Sequence, residues 1–134
     1  MANLADRKTV GEGFRNAAEL VRVTYDFDAD GGSIADYTVL TADSDCVVEF
    51  SHADVKTAVT SGGSLVADLG KGAGGTQFWS NKAVADLTLD AILGPGAAES
   101  NKVELASGET IQLGLEAAAA TAGKVEFVFK VYAR

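Results

Sequence analysis

From Glu19 onward, apolar and polar side chains take turns along the chain. Leu20, Arg22, Thr24 and Asp26 alternate with Val21, Val23, Tyr25 and Phe27, the period-two spacing of a β-strand with one apolar face. Ile34–Leu40 and Cys46–Phe50 follow as strands, separated by Thr41-Ala42-Asp43-Ser44-Asp45, whose short polar side chains favour a turn. Asp54–Thr60 is extended and β-branched, and Ser61-Gly62-Gly63 predicts a hairpin into Ser64–Leu69. Leu87, Leu89, Ala91 and Leu93 alternate with Thr88, Asp90 and Ile92 up to the stop at Gly94-Pro95-Gly96. Lys102–Leu105 and Glu109–Glu116 add two more strands, the second with Ile111, Leu113 and Leu115 inward. The last strand is the clearest, with Val125, Phe127, Phe129 and Val131 set against Lys124, Glu126, Val128, Lys130 and Tyr132. The alanine-rich Glu116–Ala122 is too short for an independent helix and predicts a loop or a single turn.

About eight short strands with glycine-rich turns and almost no helix predict an all-β protein, a jelly-roll-like β-sandwich or small barrel. Residues 1–17 lack periodicity, and Gly11 and Gly13 break any short helix, so they read as an extended N-terminal arm before a single domain over 18–134. A chain of 134 residues, 47% of them hydrophobic and 22% charged, can bury a core as one domain. The N-terminus has no apolar core for a signal peptide, and no apolar run approaches the roughly 18 residues of a membrane span. Synthesis in a cytosol, without export by the usual route and without a membrane partner, is the expectation. The net charge of −8 disfavours nucleic acid, because an acidic surface repels phosphate. The charge is uneven. Arg7, Lys8, Arg15 and Arg22 gather near the N-terminus, whereas 26–54 carries eight acids with no lysine or arginine.

The sharpest candidate chemistry is Asp26, Asp28 and Asp30 followed by Gly31, the first half of a calcium loop. Position twelve of that loop, which must be a bidentate glutamate, is Tyr37 here, and both flanks read as strand. On a strand the three acids would share a face at about 7 Å spacing, too spread for one ion. An acidic strand end running into a Gly-Gly turn is the better expectation, with no metal and no cofactor. Ser51, His52 and Asp54 invite a hydrolase reading, but neighbours on an extended chain point to opposite faces, which excludes a triad. His52 is expected at a strand edge. Cys46, the sole cysteine, precedes an apolar run and reads as a buried structural thiol. Gly70–Gly75 lacks the G-x-x-x-x-G-K-[ST] pattern of a phosphate loop and reads as flexible. Phe78-Trp79 beyond it is a candidate sugar platform or interface anchor, or packing at the sandwich edge. Nothing in the sequence supports an enzyme.

Tyr25-Asp26-Phe27 with Asp30-Gly31-Gly32, the stretch Thr57-Ala58-Val59-Thr60-Ser61-Gly62-Gly63-Ser64, and Thr121-Ala122-Gly123-Lys124-Val125 together resemble a family of small tailed-bacteriophage head proteins. The resemblance covers roughly residues 20–134 and rests on turn and strand signatures. It implies a capsid decoration, or cement, protein: a structural virion protein and β-sandwich that binds and stabilises the outer surface of a phage head. The partners so implied are the major capsid protein and further copies of the chain, as a homotrimer, on virions assembled in the host cytoplasm. Such a protein needs segments that lap onto neighbours, for which residues 1–17 and Gly70–Asn81 are the candidates. Within them Arg7, Lys8, Phe14, Arg15, Phe78 and Trp79 are the expected capsid or subunit contacts. The alternative functions are a carbohydrate- or receptor-binding β-sandwich of a phage fibre, or another head or tail component.

Overall fold

The computed structural model describes residues 18–134, so the expected arm, 1–17, lies outside the described residues. Two antiparallel sheets face each other. The first takes β1 (Glu19–Asp26), β9 (Ala120–Ala133) and β3 (Cys46–Ser61) in that order, with β6 (Ile92–Leu93) and β7 (Lys102–Leu105) sharing the far edge of β3. The second runs β2 (Ala35–Thr41), β8 (Thr110–Glu116), β4 (Val66–Lys71) and β5 (Trp79–Ala83). Counting β6 and β7 as one edge position gives two four-strand sheets. The chain changes sheet at nearly every connection, which is jelly-roll winding.

In the regular strands β1, β8 and β9 the alternation read from the sequence sets which side faces the other sheet. Val21, Val23 and Tyr25 of β1 register against Phe129, Phe127 and Val125 of β9, and all six are buried. Ile111, Leu113 and Leu115 of β8 close the core from the second sheet. Burial of each such side chain contributes about 1.5–3 kcal/mol.

Several elements differ from expectation. Cys46–Phe50 and Asp54–Thr60 are one sixteen-residue strand, not two. Its register against β9 slips between Phe50 and His52 and three times beyond Val55. These irregularities interrupt the alternation and imitate a break. Ser61-Gly62-Gly63 closes no hairpin, because β3 and β4 belong to opposite sheets and the glycines carry the crossing between them. Leu87–Leu93 is strand only at Ile92–Leu93, following a 3₁₀ turn at Val84–Asp86. The strand β5 carries no alternation that predicted it. Gly70–Asn81 is loop only over 72–78. Gly70 and Lys71 belong to β4 and Trp79–Asn81 to β5, while between them Gly72 N donates to Thr110 O at 2.9 Å and Phe78 N to Leu69 O at 2.8 Å.

Candidate docking surface and polar concavities

Of the six expected contacts, Arg7, Lys8, Phe14 and Arg15 lie outside the described residues. Phe78 and Trp79 are placed where no partner reaches them, at 0% and 1% exposure. Phe50 stands at the centre of their cluster, with ring centroids 5.4 Å from Phe78, 5.7 Å from Trp79 and 5.5 Å from Phe129. The Trp79 indole N–H donates to Gly94 O at 2.9 Å, so the ring is buried without an orphaned donor. A register shift in β4 between Ala67 and Leu69, opposite this point, lets the successive residues Phe78 and Trp79 both turn inward. The aromatic pair is core, and neither the capsid-contact nor the sugar-platform expectation holds for it.

Among the described residues the exposed large apolar side chains are Leu20, Ile34, Leu89 and Ile92. Leu89 is 61% and Ile92 69% exposed, three residues apart across the turn in which Ala91 N donates to Thr88 O at 3.0 Å. Asp90 at the turn takes a positive φ of 66°. The backbone around them is pinned to the edge of β3. Val59 N donates to Leu87 O at 3.0 Å, Asp90 N to Val55 O at 2.9 Å, and Val55 N to Ala91 O at 2.9 Å. Leu87, nearly fully buried, anchors the segment from below. The register pairs Ile92 with Asp54, whose carboxylate holds the Lys56 ammonium at 2.7 Å. A fixed backbone thus presents two bare apolar side chains beside an ion pair. The alternation groups Leu89 with Leu87, yet Leu87 is buried and Leu89 exposed, because 88–91 forms a turn instead of continuing as strand.

Set against known protein families, characterised proteins and solved structures, the chain matches none.

The acidic stretch is built differently from a strand end. β1 stops at Asp26, and Phe27–Asp30 form a single helical turn. Asp26 Oδ1 caps that turn by accepting from Asp28 N at 3.0 Å, and Asp30 Oδ2 accepts from Asp26 N at 2.9 Å. Gly31, at a φ of 81°, ends it. Tyr25 reaches across, its hydroxyl donating to Gly31 O at 2.6 Å. Burial, then the neighbouring Tyr37, Asp30 and Asp26, push the Tyr25 phenol up to about 12. Two of the three acids therefore serve the backbone. Beside the turn lies a cavity of about 290 Å³ lined by Asp26, Phe27, Asp28, Thr57, Thr121, Ala122, Gly123 and Lys124. A second, more open one of about 370 Å³ is lined by Thr76, Gln77, Ser80, Ala98, Glu99 and Ser100.

The remaining chemistry is dispersed. The β3 bulge brings Ser51 and His52 to one side, with Oγ 2.9 Å from Nδ1. The expectation that they point apart fails there, and His52 belongs to an interior strand rather than an edge. The pair stands outside both cavities. Cys46 is buried as expected, and burial followed by the Asp45 charge pushes its thiol up. On the outside of the second sheet, Asp36, Gly114 and Asp68 form one row across β2, β8 and β4. Asp68, only 4% exposed, accepts from Asn81 N at 2.7 Å and meets the Glu116 carboxyl. That contact, with the repulsion of Asp68 and burial behind it, raises the Glu116 pKa. Among the described residues no group of three or more His, Cys, Asp or Glu is arranged to hold a metal ion.

Proposed function

We propose that this chain is a non-enzymatic structural protein of a tailed-phage head, decorating the outside of the capsid as a cement protein. The observation that carries the reading is the Leu89–Ile92 ridge. Exposed apolar side chains on a backbone fixed by three hydrogen bonds to β3 lose little further freedom when they dock, which lowers the entropic cost of an interface. The resemblance of the Tyr25–Gly32, Thr57–Ser64 and Thr121–Val125 stretches to small head proteins supports the same role. The partner is the major capsid protein, with other copies of the chain, as trimers, around each site. Weak contacts repeated over a symmetric shell then add up to stable attachment.

Replacing both ridge residues, Leu89→Ser with Ile92→Ser, leaves the fold intact because neither side chain enters the core. Co-sedimentation with expanded capsids of the cognate phage should fall at least tenfold, about 1.4 kcal/mol. Undiminished decoration by the double variant refutes the ridge as the docking surface. Failure of the parent chain to sediment with capsids refutes the role itself.

A further inference from the structure

The cavity beside the helical turn has no part in that docking surface. We propose that it is a binding site for the neighbouring hydroxyls of a sugar ring.

Its walls combine opposite hydrogen-bonding characters. Asp26, Lys124 and Thr57 register with one another across β1, β9 and β3, so their side chains rise from one face of the sheet. Asp28 stands over them from the helical turn, and Thr121 closes the far side, its hydroxyl 2.8 Å from that of Thr60. Among the described residues the side chains of Asp28, Thr57 and Lys124 have no partner. The site therefore offers an acceptor-only carboxylate, a donor-only ammonium and a hydroxyl that does both. An anion would face Asp26 and Asp28, and a simple cation would face Lys124. A neutral hydroxyl can donate a hydrogen bond to the carboxylate while accepting one from the ammonium, and two on adjacent carbons use both walls at once. The volume, at the lower end of small-molecule pockets, suits one ring rather than a larger ligand.

The site is also built in advance of any ligand. The helical turn is held by the Asp26 cap, by the Tyr25 hydroxyl on Gly31 O, and by Ala120 N donating to Gly32 O at 2.8 Å. Gly123 forms the floor with a φ of 144°, and a Cβ there would come within 2.8 Å of Val59 Cγ2. Only glycine lets β9 pass this close to Val59 of β3 at that φ, which fixes the strand that carries Lys124. Walls fixed by their surroundings keep ordering costs small when a ligand enters.

The test is a titration of the ¹⁵N-labelled full chain with D-glucose, D-galactose and D-mannose, followed by amide shifts, with acetamide as a neutral donor–acceptor that has no paired hydroxyls. At least one sugar should give saturable shifts confined to residues 26–28, 57 and 121–124, with a dissociation constant of about 1 mM. Asp28→Ala and Lys124→Ala, both at exposed positions, should each weaken that binding about tenfold, with the rest of the spectrum unchanged as a check on folding. The proposal is overturned by an absence of saturable shifts with all three sugars. It is overturned equally by shifts that persist in both variants or that acetamide reproduces. The capsid assay and this titration use different residues, so either reading can fail without the other.

Discussion

Trp79 is held from several directions: Phe50 and Phe127 meet its ring at 5.7 and 5.5 Å, the indole N–H is taken by Gly94 O, and the Lys82 ammonium lies 5.7 Å from its centre. Trp79→Ala would empty the middle of the sandwich and should cost about 3–5 kcal/mol in urea denaturation; a loss below about 1 kcal/mol would mean the ring is not core. Glu116 works in the other direction. Its folded-state pKa lies above the ordinary 4.5 because Asp68 stands against it. The folded chain then holds the proton to higher pH than the unfolded chain does. Stability from this pair is complete below that ordinary value and is lost as pH rises through the raised one. Glu116→Gln imitates the protonated state, so it should raise the melting temperature at pH 7 and lose that advantage as the pH is lowered past 4.5. An equal gain at every pH would show that the carboxyl pair is not its source. Packing at the sandwich edge was among the readings of Trp79, but its place between Phe50 and Phe127, like the Asp68 contact of Glu116, depends on side chains from other strands.

Among the elements, the turn Phe27–Asp30 shows how a few polar atoms decide local structure. Period-two alternation carried β1 through Phe27, but an aspartate that can cap a turn competes with strand pairing, and the chain leaves the sheet at Asp26. The Tyr25 hydroxyl ties the end of that turn to the core. Tyr25→Phe should lose about 1 kcal/mol and speed amide exchange over residues 27–32; exchange unchanged there would mean that the hydroxyl does not hold the turn. The strands β1, β8 and β9 were readable because each keeps regular alternation across one buried face. β3 was not, since its bulges place Ser51 and His52 out of phase. β5 escaped because Ser80 and Asn81 look like loop, and Asn81 adopts a positive φ of 53° while its N–H serves Asp68. The Leu89–Ile92 ridge was not legible either, because a turn at 88–91 replaces the strand that the alternation of Leu87, Leu89, Ala91 and Leu93 predicts.

For the molecule as a whole, the fold class followed from strand count and turn chemistry, whereas the winding did not. The crossing after Ser61 and the pairing of β1 with β9 join residues remote in sequence, and no local pattern specifies them. The same remoteness should make refolding slow. Stopped-flow refolding is expected in the range of milliseconds to seconds, as for other all-β sandwiches, and completion within microseconds would contradict a topology dominated by distant pairings. The register of β1 on β9 has one more consequence. Glu19 lies opposite Val131, so Ala18 and Arg134 emerge at one end of the sandwich, while Asp26 and Lys124 occupy the other. Those two ends are separated by seven residues of β9, about 23 Å. A short linker from Arg134 to Ala18, with the chain reopened at the exposed Gly62-Gly63 crossing, would keep every strand beside its present neighbours. Cargo fused after Arg134 would leave from the end remote from the sugar-sized cavity, which makes the sandwich a two-ended carrier.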